Sequence, residues 1–334
     1  MNTQDLDVAR LEPYLAEAIP GFERPLKAEK FAGGQSNPTF RLTAGSGAYV
    51  LRRKPPGQLL KSAHAVDREY RVITALRDTG VPVPKTYVLC EDEDVIGSMF
   101  FVMEYLEGRV FWDAKLPEVS GNEERAAIYD EMNRVLALLH SVDVNAVGLG
   151  DFGAPGNYYE RQVKRWTDQY RKSETDHVPA MEKMIRWLPE NMPEDDGLVS
   201  LVHGDFRLDN LMFHPTEPRI IGILDWELST LGHPLADLAY QCMGWAMPNS
   251  LGGVDRAALG IPSDEEYIAR YCERTGRSEI SNWDFYMAFC FFRLAAILQG
   301  IKKRAQIGTA SSTEAKAHGE MVRPLAEMGL AYTR

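Results

Sequence analysis

Leu201-Val202-His203-Gly204-Asp205-Phe206-Arg207-Leu208-Asp209-Asn210-Leu211-Met212-Phe213 decides the fold, read together with Ile220-Ile221-Gly222-Ile223-Leu224-Asp225-Trp226 just downstream. An apolar run delivers His-Gly-Asp, Asn210 follows Asp205 by five positions, and a second apolar run ends on Asp225. Such runs predict short buried strands. Three oxygen-bearing side chains are thereby set at strand ends. That arrangement suits holding magnesium on a nucleotide and accepting a proton from an attacking hydroxyl.

Working outward, Asp225 belongs at the edge of a desolvated core. An ionised carboxylate there needs hydrogen bonds, a cation or a metal. Alone it reads as an Asp satisfied by backbone N–H groups; beside Asn210 it reads as a magnesium ligand, since magnesium uses only one or two carboxylates. Asp205, in a loop after a strand and a glycine, is either a loop cap or the base for a substrate hydroxyl. The other two residues favour the base. His203 follows apolar Leu201 and Val202 and is assigned a structural role. Arg207 is either a contact for a phosphate or acidic substrate group, or a structural cation. Asp209 reads as a turn residue.

The chain has 334 residues, enough for two lobes. Its net charge of -11 argues against nucleic acid or an anionic membrane as the main partner. Cys90, Cys242, Cys272 and Cys290 are scattered, which fits a reducing, cytoplasmic compartment rather than a disulfide framework or zinc site. The first ten residues carry mixed charge and do not read as a signal peptide. In the most apolar segment, 283–301, the uncharged pieces are only 285–292 and 294–301, so it reads as a buried helix.

Periodicity predicts a helix over 6–19, strands over 27–32, 39–43 and 48–54, a helix over 64–78, and strands over 86–90 and 98–105. Helices then follow over 123–142, 158–174 and 178–188, the two strands described first, and helices over 234–247, 264–275, 283–304 and 312–328. The fold class is α+β. A five-stranded antiparallel first lobe with one helix, 1–106, precedes a larger, mainly helical second lobe, 107–334, with Glu107-Gly108 as the hinge.

His-Gly-Asp-x4-Asn followed by a hydrophobic strand ending Asp-Trp resembles the aminoglycoside phosphotransferase and choline kinase group, small-molecule kinases with a protein-kinase-like fold. It is most similar to the kinase-like domain at the N-terminus of some acyl-CoA dehydrogenases. The resemblance runs from about Phe31 to the C-terminal helices. It implies that Asp205 is the base and that Asn210 and Asp225 are metal ligands, with ATP and Mg2+ as cofactors.

Further parts follow upstream. Gly33, Gly34, Gln35, Ser36 and Asn37 stand where a loop would cover nucleotide phosphates, although a Gly-Gly turn can equally mark a hairpin. Strand alternation puts Val50 and Arg52 on one face, Val50 to roof the adenine and Arg52 to reach the phosphates. Many kinases have Lys there, so Arg52 is a departure; Lys54 is its runner-up, and Arg53 reads as a surface cation. Glu69 sits in the apolar stripe of helix 64–78 with Val66, Tyr70 and Ile73, and the resemblance pairs it with Arg52. Met103, Glu104, Tyr105 and Leu106 end the last strand of the lobe, where the resemblance has backbone groups bond adenine. Asp237 braces the catalytic loop or caps backbone donors. Arg293, inside an apolar helix, needs a buried partner or faces a site.

The reading is therefore ATP- and Mg-dependent transfer of the γ-phosphoryl group to a small-molecule hydroxyl. The resemblance to acyl-CoA dehydrogenases implies a hydroxyacyl-CoA-type acceptor ahead of an aminoglycoside-like one, while Glu174, Asp176, Glu194, Asp195 and Asp196 either draw an amine or form a solvated face. The alternative is a nucleotide-binding regulatory pseudokinase. A protein kinase is disfavoured by the helical insertion 157–193 and by the lack of an evident activation segment. No nucleic acid, membrane or protein partner is expected.

Overall fold

The computed structural model describes residues 6–31, 37–55, 65–154, 156–307 and 315–334. The chain opens with α1 (Val8–Ala18), β1 (Lys27–Lys30), β2 (Thr39–Ala44), β3 (Gly47–Arg53), α2 (Val66–Leu76), β4 (Thr86–Cys90), α3 (Glu93–Ile96) and β5 (Phe100–Glu104). Next come α4 (Asn122–His140), α5 (Tyr158–Ser173), α6 (Pro179–Glu190), β6 (Ser200–Val202), β7 (Leu211–Phe213), β8 (Ile220–Ile223) and β9 (Thr230–Gly232). It closes with α7 (Leu235–Ala246), α8 (Arg256–Leu259), α9 (Asp264–Thr275), α10 (Trp283–Gln306), α11 (Ala315–Glu320) and α12 (Val322–Leu330). Two compact units result: Met1–Val110 with Asp209–Ser229, and Phe111–Leu208 with Thr230–Arg334.

The first unit is built on an antiparallel sheet of order β1-β2-β3-β5-β4. Alternation sorts its side chains. Phe40, Leu42, Tyr49, Leu51, Phe100 and Val102 share a core with Leu11 and Leu15 of α1. Val50 and Arg52 stand on the other face, opposite Met103 and Phe101 of β5. Arg53 shares the face of Leu51 and is only 5% exposed, so it is not the surface cation its position in the sequence suggested. Burial lowers its pKa.

The boundary expected at 106/107 does not account for the return of 209–229 to the first unit. The β7–β8 hairpin is tied there by backbone bonds: Ile223 N to Pro82 O at 2.9 Å, and a reciprocal Arg109–Phe213 pair at 2.8 Å each way. The second unit packs α5, α6, α7 and α12 around α10, and β6 pairs with β9. By length and composition α10 is long and apolar enough to cross a membrane, contrary to a reading that counted only its uncharged pieces. However, 72% of its apolar window is buried inside the protein. The helix expected over 312–328 is broken between α11 and α12, and residues 308–314 lie outside those described. Pro324 has no N–H for the Glu320 carbonyl and its ring would clash with it, which ends α11 there.

Gly108 has a steric reason to be glycine. A Cβ added to it would lie 2.3 Å from the Phe213 carbonyl oxygen. We expect Gly108→Ala to lower stability by about 1–3 kcal/mol, read from urea unfolding. A midpoint equal to that of the unsubstituted protein would show that this crossing opens at no cost.

Candidate functional site

In the second unit, buried β6 ends at His203, and Gly204 (φ 82°) turns the chain toward Asp205. A positive φ suits glycine, which lacks the Cβ that would clash there. The turn is clamped from beneath by Asp237, 1% exposed, in the first turn of α7. Its Oδ2 accepts the His203 N–H at 2.6 Å, and its Oδ1 accepts the Gly204 N–H at 2.8 Å. His140 Nε2 lies 3.3 Å from Oδ2, and its Nδ1 is 2.7 Å from the Tyr271 hydroxyl. Burial alone would raise the Asp237 pKa; hydrogen bonding and charge from His140, with the backbone donors, outweigh it and hold the carboxyl below its ordinary value.

A second set of contacts holds the loop from above. His203 is fully buried, and its Nδ1 accepts the Asp205 N–H at 3.2 Å. The Arg293 guanidinium donates to the Gly204 carbonyl at 2.8 Å and lies over the rings of Trp166 and Tyr240, 5.8 and 5.6 Å from their centroids. The Tyr240 hydroxyl donates to Asp205 Oδ1 at 2.7 Å. Burial and the neighbouring Asp205 charge push that phenol upward, so it remains a donor at neutral pH. Arg207 is exposed.

His140 and Tyr240 went unnoticed in the sequence. Tyr240 had a weak signal, since it follows Asp237 by three positions and so lies on the same face of α7. His140, the last residue of an ordinary helix, had none.

In the first unit, one guanidinium joins two carboxylates. Arg52 Nε is 2.8 Å from Glu69 Oε2, and its NH2 is 2.6 Å from Asp225 Oδ1. Burial pulls the Arg52 pKa down, but Glu69, Asp225 and Glu227 outweigh it and raise it. Lys54 turns instead to Asp67, 3.9 Å away. Glu69 is 2% exposed, within an apolar stripe of Val66, Val72, Ile73 and Leu76. Its Oε1 accepts from the Asn37 amide at 2.8 Å. Asn37 is thus buried and engaged with Glu69 in this structure; Gly33, Gly34, Gln35 and Ser36 lie outside the described residues.

Beside Arg52 opens a cavity of about 290 Å³, lined by Val50, Ile73, Phe101, Met103, Leu106 and Ile223, with Glu69 and Asp225 at its polar side. Glu104 and Tyr105 line it too. The Glu104 N–H is bonded to the Lys85 carbonyl at 2.7 Å. Asp225 takes the left-handed conformation (φ 62°), uncommon outside glycine but tolerated by Asp. Its side chain is 36% exposed, at the core edge. Leu224 N bonds Asn210 O at 2.8 Å, which brings Asn210 to the same end of the hairpin as Asp225. Two hard oxygen donors there, in a region where Glu69, Asp225 and Glu227 outnumber the Arg52 charge, fit a divalent cation.

Burial, with the Asp225 and Glu227 charges added, pushes the Glu69 carboxyl up to about 7 from 4.5, against the pull of Arg52 and Asn37. Between those values the folded state holds a proton that the unfolded state has lost. The group's contribution to stability is therefore full below about pH 4.5 and is lost as pH rises through about 7. Glu69→Gln should flatten that decline, as measured by urea unfolding across this range; an unaltered slope would assign the decline to another group.

Residues 27–289 match the family model described as the phosphotransferase enzyme family. A solved structure named as a candidate aminoglycoside phosphotransferase of Ralstonia eutropha JMP134 is 53% identical, with a TM-score of 0.91 and 98% of each chain covered. Acyl-CoA dehydrogenase family member 10 of Mus musculus is 49% identical over 95% of this chain, which spans 30% of that relative's length. A streptomycin–ATP ternary complex of an aminoglycoside phosphotransferase, APH(2")-IIa, is 16% identical with a TM-score of 0.61, covering 97% of this chain and 99% of its own. That likeness is one of fold.

Proposed function

The chain belongs to the phosphotransferase enzyme family, kinases of small-molecule hydroxyl groups, and we propose that it transfers the γ-phosphoryl group of ATP to its acceptor with magnesium. Its fold is the protein-kinase-like fold of that family. The observation that carries the reading is Arg52 held between Glu69 and Asp225 at the polar side of an apolar cavity. The cavity's apolar walls suit an adenine ring, and a fixed guanidinium suits phosphate oxygens. Arg replaces the more usual Lys, keeping the charge while presenting a planar fork.

Asn210 and Asp225 would hold magnesium, which when bound neutralises charge on the transferred phosphoryl group. Asp205 orients the acceptor hydroxyl and takes its proton as that oxygen bonds to the γ-phosphorus and the bond to the ADP oxygen breaks. Tyr240 orients the Asp205 carboxylate through its hydrogen bond to Oδ1. His203, Asp237 and Arg293 fix the loop so that little reorganisation accompanies reaction. The reading is of a cytoplasmic enzyme, supported by four free, buried cysteines.

For the acceptor, a hydroxyacyl-CoA-type molecule is favoured over an aminoglycoside. Several acids that could draw an amine are engaged: Asp176 bonds Lys302 at 2.5 Å, Asp195 accepts the Asn157 and Gly197 N–H groups, and Asp196 lies 3.3 Å from His233. The relatives named as acyl-CoA dehydrogenase family members add weight to the same choice.

Asp205→Ala should abolish ADP release in the presence of hydroxyacyl-CoA, aminoglycoside, choline and sugar acceptors while retaining Mg-ATP binding by calorimetry. Turnover equal to that of the unsubstituted enzyme would remove Asp205 from the reaction. Tyr240→Phe should lower kcat about tenfold with the KM for ATP unchanged, since only the orientation of Asp205 is loosened; an unaffected kcat would count against that role.

A further inference from the structure

A groove of about 780 Å³ runs between α5 and α10 in the second unit. Arg161, Lys164, Arg165 and Lys172 of α5 line it, with Lys303 and Arg304 of α10. Asp168 is the one carboxylate residue among the described lining residues. These α5 positions recur at helical spacing and make one face, while Val163, Trp166 and Tyr170 form the buried face that packs into the core. Packing thus accounts for the apolar face alone. The contrast with the whole chain is sharp: 48 acidic residues exceed 37 basic ones, yet here six cations meet one acid. Part of the lining is fixed, because Lys303 Nζ donates to the Lys172 carbonyl at 2.5 Å and Lys164 lies 3.6 Å from Asp168. Arg161 bonds the Gly156 and Ala154 carbonyls, and with Lys164 beside Asp168 the remaining cations still focus a positive potential into the concavity, which a bound polyanion neutralises.

Trp166 links the groove to the Asp205 loop. The Arg165 guanidinium lies 5.2 Å from the Trp166 ring centroid, and Arg293, which bonds Gly204, lies over the same ring. Along α10, Arg293 precedes Gly300 of the groove by seven residues, about 10 Å of helix.

We propose that this groove is a binding site for multiply phosphorylated small molecules, and that it holds the phosphate-bearing end of the acceptor whose hydroxyl meets Asp205. The second half of this statement rests on the transfer reading above; the first does not. Acceptor specificity is then set by an anionic handle remote from the reacting hydroxyl.

The test is calorimetric titration of the full chain, saturated with a nonhydrolysable ATP analogue so that the nucleotide cavity is filled. The probes are inorganic pyrophosphate, coenzyme A and the phosphate-free pantetheine. The two phosphorylated probes should bind with an affinity that falls as salt is raised, and pantetheine should not. Lys164→Glu with Lys172→Glu should weaken both at least tenfold while leaving ATP-analogue affinity and melting temperature unchanged. Lys164→Gln with Lys172→Gln should fall between. Loss of pyrophosphate binding alone in the variant identifies a small phosphate ligand, and loss of coenzyme A binding alone a nucleotide-like one; either supports the site. Absence of binding by both probes, or equal affinity in the variant, overturns it. If the probes bind as expected and no hydroxylated acceptor is phosphorylated, the transfer reading fails and the anion site stands.

Discussion

The second unit is organised around one buried carboxylate. Asp237, almost without solvent, accepts from two consecutive backbone N–H groups and sits beside a histidine. Removing a partner from such a buried charge typically costs about 3–5 kcal/mol. The arrangement therefore resists relaxation and fixes where β6 ends. Arg293 adds a constraint on the next peptide of the same turn, through the Gly204 carbonyl. With N–H and C=O of one turn both held by charged groups, Asp205 has little freedom left, and Tyr240 removes part of the rest.

The first unit answers a different electrostatic problem. A guanidinium on a half-buried strand face meets three carboxylates, one of them deep in an apolar helix stripe. Burial makes the Glu69 proton hard to remove, and the excess of negative over positive charge there adds to it. A cation supplied from solution relieves the same imbalance. Ligand affinity and proton affinity at this place are thus two expressions of one local field.

Much of this was legible in the chain itself. Alternation in 48–54 put Val50 and Arg52 together, and the apolar stripe containing Glu69 demanded a cation, which the structure shows to be Arg52. Most elements fall within a few residues of their expected bounds, because caps and breakers are local signals. What could not be read were pairings set by tertiary approach. Spacing from Asp237 set Tyr240 on its face of α7 but did not name Asp205 as its acceptor, and nothing local shows that Asn37 bonds Glu69. Arg53 misled because its charge suggested solvent, yet it shares the buried face of Leu51. The return of 209–229 to the first unit was likewise invisible, being a property of long-range backbone bonds.

That return has a consequence for how the molecule can be made and dissected. The polypeptide passes from one unit to the other at 110/111, 208/209 and 229/230. A fragment stopped at Val110 would lack the hairpin that carries Asp225, so Arg52 would lose one of its two acidic neighbours. A fragment begun at Phe111 would carry that hairpin with no sheet to receive it. Neither half is a natural product of proteolysis or simple truncation. Separating them demands rewiring of chain order, with a short linker standing in for 111–208.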